Sequence, residues 1–124
     1  MRLFGIFGGA FGFLAVALGA FGAHALRGRL TPADLAIFET GVRYQMYHAL
    51  ALLLVAALLA RGGGGAASLA GWGFTAGIVV FSGSLYLMVF TGQRWLGAVT
   101  PIGGLAFLVG WAALTWTFVR SHGG

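Results

Sequence analysis

Nine charged side chains in 124 residues, all at or near the edges of long apolar runs, constrain this chain more than any other feature. Arg2, Arg27, Arg29, Asp34, Glu39, Arg43, Arg61, Arg94 and Arg120 mark off four segments, about residues 3–26, 44–60, 66–90 and 96–119. A bilayer core of ~30 Å takes roughly 20 apolar residues in helical form, and each segment meets or approaches that length. Charged residues make up 7% of the chain, too few to cover a water-facing surface. In lipid the acyl tails do that covering, and helices satisfy their own backbone. The expected fold is an all-α membrane protein, a four-transmembrane-helix antiparallel bundle, with residues 1–124 as one integral membrane domain.

The net charge of +5 would suggest nucleic acid in a soluble chain. Here the arginines stand singly at segment ends and form no patch. The partner they imply is the lipid bilayer with its anionic headgroups, and no nucleic acid. Cysteine is absent, which removes disulfides, thiolate nucleophiles and cysteine metal sites. Arg2, the apolar stretch after it and Ala23-His24-Ala25 imitate a signal peptide. The apolar run is longer than a signal core and the chain begins at Met1, so the segment is expected to remain as a first span. Arg2, Arg61 and Arg120 fall on one side; Arg27, Arg29 and Arg94, with Arg43 near the edge, fall on the other. That balance gives no orientation.

Thr31-Pro32-Ala33-Asp34 reads as an N-cap, a proline at the first helical position and an acid at the third, a variant of the capping box. The second helix should therefore start near Pro32, with an amphipathic N-terminal extension before its span that lies in the interface or projects above it. Glu39 and Arg43 are spaced to pair on its exposed face. Arg61 and the Gly62–Gly65 run should form a hairpin. Thr100-Pro101 repeats the cap signal, so the fourth helix starts either there or, kinked, at Leu96. His122, Gly123 and Gly124 are expected to fray. Trp72, Trp95, Trp116 and Tyr44 fall near span ends, as an aromatic belt requires. Gly8, Gly12, Gly19, Gly77, Gly103 and Gly104 are expected helix-packing positions, since small residues let helices approach in lipid.

The polar side chains left inside are the candidate site. Thr75, Ser82, Tyr86 and Gln93 fall within roughly 20° of one another at ~100° per residue, forming a stripe along the third helix, with Ser84 away from it nearer Gly77. Tyr44, Gln45 and His48 share one surface of the second helix. His48 should lie roughly 7 Å inside its span, and His24 ends the first helix at similar depth, so the two imidazoles can converge. Three outcomes are open for the histidines: bonds to neighbouring carbonyls or hydroxyls, a proton-handling or solute-binding pocket, or a paired site for haem or metal. The stripe is either interhelical glue or the lining of a polar pocket. No hydrolase triad, phosphate loop or carboxylate pair is visible and no acid lies within the spans, so the chain is not expected to be an enzyme.

Ala17 to His24, Thr40-Gly41 with Tyr44-Gln45 and His48, Phe81 to Tyr86, and Thr100-Pro101 with Gly103-Gly104, Phe107 and Gly110-Trp111 together resemble the YgdD-like family. These are small four-span bacterial inner-membrane proteins, known as a domain of unknown function (DUF 423), with relatives among mitochondrial transmembrane proteins. The resemblance covers nearly the whole chain in four ordered motifs. It implies the four-span fold and a multi-pass place in the bacterial inner (plasma) membrane, and no established activity. The leading functional expectation is a homo-oligomer with an intramembrane polar pocket of His24, Tyr44, Gln45, His48, Ser82 and Tyr86 that binds or passes a small solute, proton or lipid headgroup. The competing one is a helix-packing scaffold or assembly partner for another membrane protein. Haem binding ranks third. No cofactor and no metal are assigned.

Overall fold

The second helix begins where its cap chemistry places it. Thr31 is extended and its hydroxyl oxygen accepts from the Asp34 amide at 3.1 Å, with Pro32 in the first turn. One of the amides that every helix start leaves without an acceptor is thereby satisfied. Asp34 does not reach back to complete the box. Its carboxylate accepts instead from Arg94 Nη2 at 3.1 Å, tying this helix start to the last connection of the chain.

The computed structural model describes residues 2–121 and contains four helices long and apolar enough to cross a membrane. They are α1 (Arg2–Leu26), α2 (Pro32–Ala60), α3 (Gly65–Thr91) and α4 (Arg94–Arg120). No strand occurs among the described residues. The tail His122–Gly124 lies outside them. Short connections make sequential helices antiparallel neighbours. Accordingly α2 packs on both α1 and α3, and α3 packs on α4.

Glycine decides where α2 stops. Gly62 is left-handed at φ +90°, Gly63 N–H donates to Leu58 O at 2.8 Å, and Gly62 N–H donates to Leu59 O at 3.1 Å. This is the Schellman arrangement, which a residue with a Cβ adopts only at a cost. Of the two starts open for α4, the α-helical body begins at Thr100, preceded by a 3₁₀ turn over Arg94–Ala98. Val99 is already helical, so Thr100 is no N-cap. Its hydroxyl lies 2.6 Å from Ser84 Oγ and joins α4 to α3.

Two π turns interrupt the α-helical ladder. One covers Ala17–Gly22 in α1, with Ala23 N–H donating to Leu18 O. The other covers Ile78–Ser82 in α3, with Gly83 N–H donating to Ile78 O. Each widens a turn by about one residue and rotates the C-terminal part of its helix relative to the N-terminal part.

Phe4, Leu52, Val55, Phe74 and Phe107 form the main core, one or more from every helix. Phe38, Ala23 and Val89 form a second cluster nearer the α1–α2 connection. Phe38 is fully buried, so the amphipathic extension of α2 is docked on α1 and α3 and does not lie loose in the interface. The ring fills the space between Gly22, Tyr86 and Phe90. Glu39 and Arg43 pair on the outer side at 3.8 Å.

Four of the six expected packing glycines set helix spacing. A Cβ on Gly8 would lie 2.9 Å from Ala49 O, and one on Gly19 would lie 3.1 Å from Val42 Cγ1. One on Gly77 would enter the Phe107 ring, and one on Gly103 would meet the Phe81 backbone. Gly12 and Gly104 differ: the nearest atoms to an added Cβ lie at 3.9 and 4.0 Å, so a methyl group fits at both. Another close α3–α4 approach falls outside the expected positions. There Gly73 faces Gly110, with a Cβ on Gly73 only 2.9 Å from Gly110 Cα.

Candidate functional site

The inward face of α2 carries Gly41, Gln45 and His48, spaced four and three and all buried. Ser82 of α3 donates its hydroxyl to Gly41 O at 2.7 Å. Tyr86, one turn further along α3, donates to Gln45 Oε1 at 2.7 Å, and Gln45 Nε2 donates to Phe11 O at 2.9 Å. A single amide thus joins three helices. Gly41 has no side chain because the Tyr86 ring occupies its place: a Cβ there would sit 2.8 Å from Tyr86 Cε1.

His48 anchors a second set of contacts. Nδ1 lies 2.6 Å from Tyr44 O, and Trp111 Nε1 lies 3.0 Å from His48 Nε2. A carbonyl only accepts and an indole N–H only donates, so His48 carries its proton on Nδ1 and receives Trp111 on Nε2. The partners fix one neutral tautomer. The imidazole stacks on Phe107, with ring centroids 3.6 Å apart and planes 10° apart. Phe74 closes another side, at 5.5 Å from His48 and 5.0 Å from Trp111. With both nitrogens engaged, His48 has no lone pair free for iron and no proton to release without breaking a bond.

The structure brings Gln45, Ser82 and Tyr86 together, and His48 lies one turn beyond Gln45. Tyr44 contributes its carbonyl, while its ring turns outward, half-covered by Phe81 at 4.7 Å. His24 does not join. Ala23 takes the inward position of that turn, and the next residue on a helix points about 100° away, so His24 is exposed and shares no partner with His48. The expected convergence of the two imidazoles does not occur.

The stripe on α3 is likewise only half realised. Ser82 and Tyr86 face α2, but Thr75 donates to Gly71 O of its own helix and Gln93 falls beyond the helix end. The π turn separates Thr75 from Ser82 and shifts the phase that the stripe assumes. Ser84 faces α4 through Thr100, on the side where Gly77 receives Phe107. Phe107 and Trp111 were not assigned to the site from sequence, although their spacing of four places them on one face of α4. Among the described residues no buried side-chain nitrogen or oxygen lacks a partner.

Outside this tied interior, an apolar groove of about 500 Å³ runs along the outer surface between α1 and α2. Gly8, Gly9 and Gly12 lie on its α1 side, and Met46, Leu50 and Leu53 on its α2 side. Phe13 and Phe21 stand beside it, 73% and 74% exposed. A Cβ on Gly9 would meet nothing within 4 Å.

A protein family described as "Protein of unknown function (DUF423)" matches residues 18–104. The chain is similar to UPF0382 membrane protein YwdK of Bacillus subtilis, at 47% identity over 97% of this chain and 98% of that one. It is also similar to UPF0382 membrane protein SAB0533 of Staphylococcus aureus, at 45% identity over 92% and 93% of the two chains. UPF0382 membrane protein SERP0230 of Staphylococcus epidermidis shows 45% identity over 99% and 100%. No solved structure matches.

Proposed function

Since the chain belongs to the DUF423 family of membrane proteins, we propose that it is a non-catalytic scaffold of the bacterial inner membrane that self-associates through the α1–α2 groove. The observation that carries this reading is how the interior polar groups are used. Gln45, Ser82 and Tyr86 bond to other helices of the same chain, and His48 accepts from Trp111 of α4 while its Nδ1 is held by Tyr44 O of its own helix. Such bonds fix helix rotation in lipid, where polar groups without partners are costly. They favour a rigid unit over a solute pocket.

Interaction then falls to the outer surface. The α1 face pairs a depression at Gly9 with a projection at Phe13, one turn away. A hole and a knob on the same face suit two-fold pairing, in which Phe13 of each copy enters the groove of the other. Close backbone approach at glycine is the kind of contact that drives helix association in lipid.

The natural absence of cysteine makes the test clean. Single cysteines at Gly9 and Leu50 should give disulfide-linked dimers on oxidation in native membranes. A cysteine at Leu108, outward-facing on α4, should not. Equal cross-linking at all three positions, or none at the groove positions, refutes the self-associating scaffold.

A further inference from the structure

The bundle is electrically lopsided. Its only acidic side chains, Asp34 and Glu39, lie at the end that holds the α1–α2 and α3–α4 connections, where each is paired with an arginine. At the opposite end, Arg61 closes α2 and Arg120 closes α4. Arginine at a helix C-terminus is favourable in itself through the helix dipole. Yet no acidic side chain exists at this end to neutralise either charge.

Both arginines line one cavity of about 660 Å³ beneath the Gly62–Gly65 hairpin. Thr117 and Ser121 of α4 and its extension add hydroxyls to the wall, and Gly63 and Gly65 expose backbone there. The volume falls within the ~300–1,000 Å³ typical of small-molecule sites. At the end of spanning helices the cavity sits at headgroup depth. Two guanidinium groups are forked donors suited to the oxygens of a phosphate.

We infer that Arg61 and Arg120 form a binding site for a phosphate group, supplied by the headgroup of an anionic phospholipid. The site is defined by the two guanidinium groups and the cavity they share. It stands apart from the α1–α2 groove, so either can fail without the other.

The test is native mass spectrometry of the full chain, released from non-ionic detergent holding equimolar phosphatidylglycerol and phosphatidylcholine. The wild type should retain phosphatidylglycerol in preference to phosphatidylcholine. Arg61→Gln with Arg120→Gln should weaken that preference by about tenfold, a factor equivalent to ~1.4 kcal/mol. Arg27→Gln with Arg29→Gln, which removes the same charge from the opposite end, should leave it unchanged. A double variant at 61 and 120 that keeps the preference overturns the site, as does an equal loss from the pair at 27 and 29. Displacement of the lipid by millimolar inorganic phosphate would support a site that reads the phosphate alone. Retention against phosphate would support one that also needs the lipid's chains. All these residues are exposed, and unchanged helix content by circular dichroism confirms that the variants fold.

Discussion

The bond from Trp111 to His48 can be isolated by a double-mutant cycle of Trp111→Phe and His48→Leu. Trp111→Phe removes the indole N–H that donates to His48 Nε2 and leaves that nitrogen stranded on a residue 4% exposed and packed against Phe74 and Phe107. Stranding a buried acceptor costs about 1–3 kcal/mol. Measured interhelical hydrogen bonds in lipid average ~0.6 kcal/mol and reach ~1.7 kcal/mol. We expect a loss of about 2 kcal/mol for Trp111→Phe, within that range for a stranded acceptor. His48→Leu strands the indole N–H instead and also loses the stack on Phe107 at 3.6 Å. Aromatic pairs of this kind contribute about 0.5–1.5 kcal/mol, so about 3 kcal/mol is expected. In the double variant neither partner is stranded, and the loss should fall short of the sum by about 1–2 kcal/mol. Unfolding in mixed detergent micelles, followed by far-ultraviolet circular dichroism, measures all three. Additivity to within ~0.3 kcal/mol would refute the claim that this bond ties α2 to α4.

Two neighbouring glycines on α4 should respond in opposite ways. Gly103→Ala drives a methyl group into the Phe81 backbone and should cost at least about 2 kcal/mol, because backbone cannot rotate aside. Gly104→Ala meets its nearest atom at 4.0 Å and should be neutral or stabilising by up to ~1 kcal/mol, from helix propensity. The same unfolding assay separates them. Thr31→Ala should cost about 1 kcal/mol by removing the cap on Asp34 N–H. Arg94→Gln, which breaks an ion pair exposed at Arg94 and largely covered at Asp34, should cost about 1 kcal/mol or less, with an effect that shrinks as salt is raised.

Features that depend on neighbours along the chain are legible in the sequence. Thr31 capping α2, the Gly62 stop, the Glu39–Arg43 pair and the presence of four spans each come from a few consecutive residues and the length of a bilayer. Features that depend on helix rotation are not. The α3 stripe assumes 100° per residue, and a single π turn at Ile78–Ser82 removes Thr75 from it. Nothing in Ile78-Val79-Val80-Phe81-Ser82 announces that turn. The same limit explains Thr100. Its sequence context is that of a cap, but a 3₁₀ turn already supplies the helix start, so the hydroxyl is free to serve Ser84 across the helix interface.

Polarity inside a membrane need not signify a functional site. Histidine, glutamine, serine and tyrosine at membrane depth suggest one because burying them without reason is costly. Here the reason is geometric. The glycines Gly8, Gly73 and Gly110 bring α1 onto α2 and α3 onto α4, and they add no side chain of their own to the contacts there. Directional bonds supply what the missing side chains do not. Gln45 can reach Phe11 O and Tyr86 Oη together at only one rotation of three helices, and His48 can meet Trp111 at only one rotation of α4. In this bundle the polar residues and the glycines are two halves of one solution, close approach and fixed register. That pairing explains why the interior holds polar groups and leaves none of them idle.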